Sequence, residues 1–174
     1  MPTYTDPPSF TAGRFTRDQA NTYIRDNLLA LKYPPCAVYT SVGHSADYST
    51  TNTSFEDVDA TNLALTIAVA GNGAAGASDV FCWLTGTVYS STAIRIYFRI
   101  LEDGVALNAD DGLLTSEGSG VRPISFPFLR VNAAIGSHTY KLSWKVSSGT
   151  GVLLANAGTS TRDCRTQFGV RELS

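Results

Sequence analysis

The chain is poor in charged residues and in the side chains that carry out most enzyme chemistry. Only 16% of its 174 residues are charged, and it has two histidines, His44 and His138, which lie far apart. No His or Cys cluster has the spacing of a metal site, and no G-x-S-x-G nucleophile motif occurs. We therefore expect no catalytic residue, metal or cofactor, and we expect that the protein is not an enzyme.

Long apolar runs are also missing, and we expect no leader sequence. No stretch approaches the roughly 18 apolar residues of a membrane span, and the first residues lack the pattern of a secretory signal. A net charge of −2 gives no general reason to expect nucleic acid or an anionic membrane as a partner. The three cysteines are odd in number, so we expect reduced thiols, although a Cys82–Cys164 bridge stays open.

The chain does contain strongly alternating segments. Ile94, Ile96, Phe98 and Ile100 alternate with polar residues up to an Asp-Gly turn signal, which predicts a half-buried strand. The segment Asp79–Tyr89 alternates in the same way, and we expect the two to pair as a hairpin at the centre of an antiparallel sheet.

The same pattern predicts ten strands, with polar or Gly-rich turns between them. They are Ala37–Val42, Thr51–Val58, Asn62–Ala70, Asp79–Tyr89, Ala93–Leu101, Val105–Leu107, Pro123–Val131, Ser137–Val146, Gly151–Ala155 and Thr166–Leu173. Short strands without intervening helices predict a mainly β protein, namely an antiparallel β-sandwich or barrel. At 43% hydrophobic residues the chain can bury one sizeable core.

The N-terminal residues have a different sequence pattern from the strands. Residues 1–13 contain three prolines and predict an extended arm, whereas Thr16 and Gln19 form a capping box that opens a helix. The helix carries an apolar stripe at three-and-four spacing and is too short to be stable alone. The candidate docking residues are Phe15, Tyr23, Ile24, Leu28 and Leu31. We expect residues 1–35 to dock on other chains and residues 36–174 to form the sandwich.

Charge is unevenly distributed along the sandwich. Residues 44–117 contain ten acids and two arginines, whereas residues 118–174 contain seven bases and two acids. The two segments can attract each other within one chain or across a subunit boundary, and the intramolecular interpretation is favoured.

Several motifs resemble functional sites but also have a simpler interpretation. The glycines of residues 71–76 match a dinucleotide fingerprint, but a strand follows them where the motif needs a helix, so we predict a connecting loop. His138 shares a face with Tyr140 and reads as a hydrogen-bonded sandwich histidine. The Asp-Gly pairs suit turns better than a calcium loop. Arg95, Tyr97 and Arg99 share a polar strand face, which is a candidate for surface binding or subunit contact.

Two parts of the chain resemble structural proteins of tailed bacteriophages. The segment from Phe10 to Leu31 resembles the G-x-x-x-T…N-x-x-x-R-D-N-L…L pattern near the start of many such proteins, through Gly13, Asn21, Arg25, Asp26, Asn27, Leu28 and Leu31. The remainder, closing with residues 137–146 and 167–173, resembles the trimeric jelly-roll modules of phage tail and fibre proteins, which are similar in outline to C1q and tumour-necrosis-factor domains.

The resemblance implies a virion component assembled in the host cytoplasm, often a homotrimer. Its residues 1–35 would dock on other virion proteins, and its jelly roll would be displayed for contact with the host surface, including a surface glycan. A capsid decoration or head-fibre protein is the alternative within this class. A jelly-roll carbohydrate-binding protein or glycan-active enzyme is the alternative from another class.

Overall fold

The computed structural model describes residues 24, 28, 34–41, 46–71, 76–107, 112, 114–155 and 165–173. The predicted arm and nearly all of the predicted helix lie outside these residues, so both stay predictions, as does the domain boundary after residue 35. Within the described ranges, no helix has the length and apolar character that a membrane span requires.

The described chain is built almost entirely from antiparallel strands, which confirms the predicted mainly β fold. They are β1 Cys36–Thr40, β2 Tyr48–Thr50, β3 Glu56–Asp57, β4 Ala64–Val69, β5 Ala77–Glu102, β6 Val105–Ala106, β7 Leu114–Ala134, β8 Gly136–Val146, β9 Gly151–Leu153 and β10 Gln167–Leu173.

The long strand β5 organises the fold. It pairs with β7 from Ala77–Ala134 to Phe98–Leu114, and its other edge pairs in turn with β10, β9 and β8. The predicted hairpin between its two halves is wrong, because both halves belong to one strand. The ladder is irregular between Ser90 and Ile94, and such an irregularity bends a strand without ending it.

This bend divides the hydrogen-bonded sheet into two layers that face each other across the core, as in a jelly-roll sandwich. We call the layer formed by β1, β10, the first half of β5 and the part of β7 paired with it the first sheet. The second sheet contains the second half of β5 with β8, β4 and β3. Strands β1 and β4 are not paired, yet they lie in contact across the core.

Alternate residues of both sheets fill one hydrophobic core. The even-numbered residues of β5 are buried on both sides of the bend, and Phe98 stacks on Trp144 of β8 at 6.0 Å between ring centroids. Fully buried side chains from β5, β8 and β10 are Val80, Cys82, Leu84, Ile96, Phe98, Ile100, Tyr140, Leu142, Phe168 and Val170. The period of two therefore predicted correctly which side of β5 faces inward.

Local turn chemistry explains where strands end. Asp103 and Gly104 both have positive φ, as a two-residue type I′ hairpin turn requires, and this confirms the predicted turn.

The predicted strand Thr51–Val58 is mostly wrong, since only β3 is paired and β2 lies before it. Asn52 accepts the Ser54 backbone N–H at 3.0 Å, and its own N–H donates to the Thr50 hydroxyl at 2.9 Å. Such local bonds compete with a ladder.

Polar contacts join the two sheets. The buried Glu172 carboxylate of β10 accepts the backbone N–H groups of Ala70 and Gly71 at 2.9–3.1 Å. Acids of the first segment also pair with bases of the second, as in Glu102–Arg130 at 2.8 Å and Asp57–Lys141 at 3.2 Å. These pairs confirm that the uneven charge is used within the chain.

Candidate functional site

The structure places Arg95, Tyr97 and Arg99 together on the outer side of the second half of β5, as their spacing predicts. Arg95 is exposed, and its Nε donates to Glu117 of β7 at 2.9 Å. The hydrogen bond to Glu117 is the main cause that raises the pKa of Arg95. This ion pair lies at the sheet surface, where such pairs contribute little to stability.

An aromatic ring from another strand completes this surface. The Arg99 guanidinium carbon lies 4.0 Å from the centroid of Phe55, and Lys145 Nζ lies 4.7 Å from the same centroid. Lys145 also lies 5.0 Å from the Tyr97 centroid. We call the outer side of the second sheet, formed by Phe55, Arg95, Tyr97, Arg99, Lys141 and Lys145, the cationic face.

The backbone of Gly112 lies close to the ring of Phe55. Gly112 has a φ of +85°, and a Cβ at this position would lie 2.7 Å from the Phe98 carbonyl oxygen and 3.2 Å from Phe55 Cζ. Only a glycine allows the backbone to approach this closely. The Phe55 ring thus lies close to the Gly112 backbone and within cation–π distance of Arg99 and Lys145.

A polar depression of about 460 Å³ lies along the segment from β2 to β3. Its lining residues are Ser49, Thr50, Thr51, Asn52, Thr53 and Glu56. The Glu56 carboxylate accepts hydrogen bonds from the Thr50 hydroxyl and from Asn52 Nδ2, the latter at 3.1 Å. Hydroxyl and amide groups are thus fixed around one carboxylate, which is suited to binding a polar ligand.

The outer side of the first sheet has the opposite character. Trp83 lies flat against Gly169 and donates from Nε1 to Gln167 at 3.1 Å, and Phe81 stacks beside it at 5.8 Å. We call this surface the apolar face; its apolar residues are Val38, Phe81, Trp83, Pro127, Leu129 and Leu173, and the exposed Arg171 lies on the same side, opposite Phe81. Val38, Leu129 and Leu173 are each more than 40% exposed.

A hydrogen-bonded cluster closes one end of the core between the two sheets. Glu102 accepts from Tyr140 at 2.8 Å and from Arg130 at 2.8 Å. His138 contacts the Asp103 carboxylate through Nδ1 at 2.8 Å and the Ala134 carbonyl through Nε2 at 2.9 Å. Both partners are acceptors, so both ring nitrogens donate only when the imidazole is protonated. This arrangement confirms the prediction of a hydrogen-bonded sandwich histidine.

The pKa of His138 reflects these contacts. Burial acts to lower the pKa of His138, but the bonds to Asp103 and Ala134 and the nearby carboxylates outweigh it and raise the pKa. The backbone N–H of Thr139 and the imidazole together lower the pKa of Asp103, against the effect of burial. The pair is therefore a charged contact at mildly acidic pH, between the ordinary pKa values of 3.8 and 6.5.

The predicted docking residues lie mostly outside the described part of the chain. Phe15, Tyr23 and Leu31 are not described, whereas Ile24 and Leu28 are 59% and 60% exposed. These two side chains of the predicted stripe are therefore not covered by the sandwich of their own chain.

Of the two described cysteines, Cys36 is exposed and Cys82 is buried. Cys36 and Cys82 are free thiols, so the Cys82–Cys164 bridge is not formed. Burial raises the pKa of Cys82 to about 12, which keeps the thiol protonated and unreactive. Within the same ranges, no group of three or more His, Cys, Asp or Glu residues could hold a metal ion.

Comparisons with known proteins identify no family. No family model and no curated protein matches the chain. Among solved structures, a mutant VP2 protein of infectious bursal disease virus, in T=1 particles, is 10% identical with a TM-score of 0.37. The match covers 80% of this chain and 36% of VP2, so the chain spans little more than a third of that protein.

Two phage proteins are similar at a comparable level. The enzymatically active domain of tailspike protein 4 from bacteriophage CBA120 is 10% identical, with 79% of this chain and 19% of that chain covered and a TM-score of 0.30. A pentameric capsid protein from metagenomic phage sequences is 10% identical, with 97% and 79% covered and a TM-score of 0.26. Likenesses this distant establish no function for the chain.

Proposed function

We propose that the chain is a non-enzymatic structural protein of a bacteriophage virion, a trimeric tail-associated or fibre-like component. In this proposal residues 1–35 dock on neighbouring chains, and the sandwich is displayed for contact with the host surface. The observation that carries the proposal is the apolar face, which a single copy leaves exposed.

The composition of the apolar face favours a protein contact. Contiguous apolar patches rimmed by polar residues are typical of interaction surfaces, and Trp and other aromatic residues are enriched at the centres of interfaces. Phe81 and Trp83 lie side by side at its centre, with Val38 and Leu129 on flanking strands.

The edge of the same sheet favours contact through the face. Among the described strands β7 pairs with β5 alone, and it carries Pro123 and Pro127. Proline has no N–H to give to a ladder, and it protects edge strands from pairing with another chain. Other copies are therefore expected to cover the face of this sheet and not to extend it.

The N-terminal segment joins the sandwich beside this sheet. The Glu172 N–H donates to the Pro35 carbonyl at 2.9 Å, so the residue that directly precedes β1 lies next to the β1–β10 pair. The exposed side chains of Ile24 and Leu28 and the resemblance of residues 10–31 to phage structural proteins support a docking role for this segment.

Two alternatives remain distinguishable by experiment. A capsid decoration protein would use the same surfaces but bind capsid subunits. A glycan-active enzyme would need two carboxylates beside its substrate, and among the described residues that line the depression Glu56 alone carries one. This supports the non-enzymatic proposal, and the depression itself suits binding without hydrolysis.

The proposal is tested by the mass of the full-length chain in solution, measured by analytical ultracentrifugation. The Leu28→Asp variant places a charge in the predicted stripe and is expected to convert the oligomer to a monomer. Val105→Asp is the matched control, because Val105 is 69% exposed at the tip of the β5–β6 hairpin.

Circular dichroism should show the same sandwich in both variants. A wild-type chain that is monomeric at all concentrations would contradict the proposal. An L28D variant that assembles as the wild type does would exclude the segment as the docking element.

A further inference from the structure

Side chains replace part of the ladder at the end of β7. The pairing of β7 with β5 shifts register between Ser78 and Val80, so two residues of β7 lie opposite one of β5, as in a β-bulge. One of these two, Asn132, has a φ of +56° and donates its N–H to the Asp79 carboxylate at 3.0 Å. Residues 130–135 are therefore held partly by side chains and not by the ladder alone.

Two further side-chain contacts tie this end of β7 to its neighbours. Arg130 Nε donates to Glu102 at 2.8 Å, and His138 Nε2 lies 2.9 Å from the Ala134 carbonyl oxygen. The other ring nitrogen of His138, Nδ1, lies 2.8 Å from the Asp103 carboxylate. His138 therefore connects the last residue of β7 to the hairpin turn that follows β5.

The groups around His138 favour its charged form. The carboxylate of Asp103 contacts Nδ1, and that of Glu102 lies 3.7 Å from it. Arg130 of β7 and Tyr140 of β8 both donate to Glu102, and β4, which pairs with β8 beside the imidazole, has no titratable side chain. Among the described residues, two carboxylates thus face the imidazole against one guanidinium, which stabilises a proton on the ring.

Loss of that proton removes one of the two contacts. The partners of His138 only accept, so the imidazolium donates to Asp103 and Ala134 together, whereas the neutral ring donates to one of them. The charged carboxylate is the stronger acceptor, so we expect the remaining N–H to stay on Asp103. The bare Nε2 then faces the Ala134 carbonyl oxygen, and two acceptors at this distance repel each other.

The end of β7 also carries exposed apolar side chains. Leu129 of the apolar face and Val131, the next outward residue but one, are 46% and 50% exposed, and Ile135 directly after the strand is 55% exposed. Ala134 lies within this stretch. A change in how Ala134 is held therefore reaches the border of the apolar face within a few residues.

We propose that His138 is a pH switch for the end of β7. The imidazolium fixes residues 130–135 by binding Ala134, and release of its proton to water frees them, so contact between copies through the apolar face tightens in mild acid and weakens in alkali. The inference rests on the proposed assembly through that face and adds its regulation. By linkage, assembly should in turn favour the protonated ring.

Hydrogen–deuterium exchange of the full-length chain tests the local change. Peptides that cover residues 130–137 are compared at about pH 5.5 and about pH 8.5, on either side of the ordinary range of histidine, after correction for the intrinsic rates. We expect roughly two- to tenfold faster exchange at the higher pH, which is the factor that one hydrogen bond contributes. Peptides from residues 80–88 should exchange equally at both.

Substitutions at the two histidines locate the switch. His138→Gln provides a donor that does not titrate and should remove the pH dependence, whereas His44→Gln, which removes the other histidine of the chain, should leave it unchanged. Asp103→Asn keeps the imidazole without its carboxylate and should move the transition to lower pH. NMR titration of the imidazole Cε1–H, assigned with H44Q, measures that transition, and circular dichroism verifies the fold of each variant.

Analytical ultracentrifugation at the same pH values tests the regulation. The ratio of the association constants in acid and alkali should be at least about twofold larger for wild type than for H138Q. Equal ratios, pH-independent exchange of residues 130–137, or pH dependence retained by H138Q would each overturn the inference and leave the assembly proposal standing. A chain that is monomeric at every pH contradicts the assembly proposal, and the exchange data then decide separately whether His138 controls the end of β7.

Discussion

The two halves of β5 have the same inner side and opposite outer sides. Even-numbered residues of both halves are buried in one core, yet the outer residues are Phe81 and Trp83 in the first half and Arg95 and Arg99 in the second. Packing requirements explain the shared inner pattern. They place no such demand on the outer side, so the difference between the apolar and cationic faces points to different contacts.

The two faces also differ in how their large side chains are held. On the apolar face Trp83 lies on the bare backbone of Gly169, whereas on the cationic face Arg99 lies on the ring of Phe55. The first arrangement buries apolar surface and depends on shape. The second depends on charge, which salt and pH can change. We therefore expect substitutions on the outer side of the first sheet to change mainly stability. Substitutions on the outer side of the second sheet should change mainly binding.

The largest expected effect comes from Gly169→Ala. A Cβ at this position would overlap the Trp83 ring, so the ring must leave the sheet, and we expect the free energy of unfolding to fall by about 1–3 kcal/mol. Denaturant titration measures this change. The displaced ring would also disturb the apolar face and weaken assembly.

A double-mutant cycle supplies the control for this prediction. In a Trp83→Ala background the overlap no longer exists, so Gly169→Ala should then cost less than about 0.5 kcal/mol. An equal cost in both backgrounds would show that the glycine is needed for its backbone and not for the ring. The outer side of the first sheet would then depend less on shape than we expect from its contrast with the cationic face.

An intermediate effect, which depends on pH, is expected at the cluster that joins the two sheets. His138→Gln removes a titratable donor to Asp103, and we expect a loss of about 1 kcal/mol near pH 5.5. The pKa of His138 is raised in the folded state. Its contribution is therefore complete below the unfolded pKa of 6.5 and is lost as the pH rises through the higher folded pKa.

Urea titrations of wild type and H138Q across this range check the sign. The difference between the two proteins should be largest in mild acid and shrink in alkali. The lowered pKa of Asp103 keeps its carboxylate charged as the pH falls below the usual range, so the contact should persist there. A difference that stays constant from about pH 5 to pH 9 would show that His138 acts through packing alone.

The period of two was sufficient to predict the candidate site on β5 but not its partners. Arg95, Tyr97 and Arg99 share a face because alternation is a local property of a strand. Phe55 and Lys145 reach the same face only through the pairing of β3, β8 and β5. Register between distant strands is not encoded in any one of them, so the sequence could not show that these side chains meet.

The wrong predictions have the same origin. The residues between Ser90 and Ile94 lack a core pattern and were expected to end a strand, but β7 spans both halves of β5 and holds the chain in one ladder. Conversely, the sequence predicts a strand from Thr51, while the hydrogen bonds of Asn52 with Thr50 and Ser54 hold this segment in a loop. Long-range pairing and local side-chain bonds, respectively, outweighed the pattern.

The smallest expected effect concerns the ion pair at the edge of the cationic face. Glu117→Gln removes the partner of Arg95, yet both side chains are more than half exposed, and water and salt screen such a pair. We expect no change in the denaturation midpoint at about 0.15 M salt. A clearly lower midpoint for E117Q would mean that this exposed ion pair stabilises the second sheet, and the contrast between a face that depends on shape and a face that depends on charge would then fail.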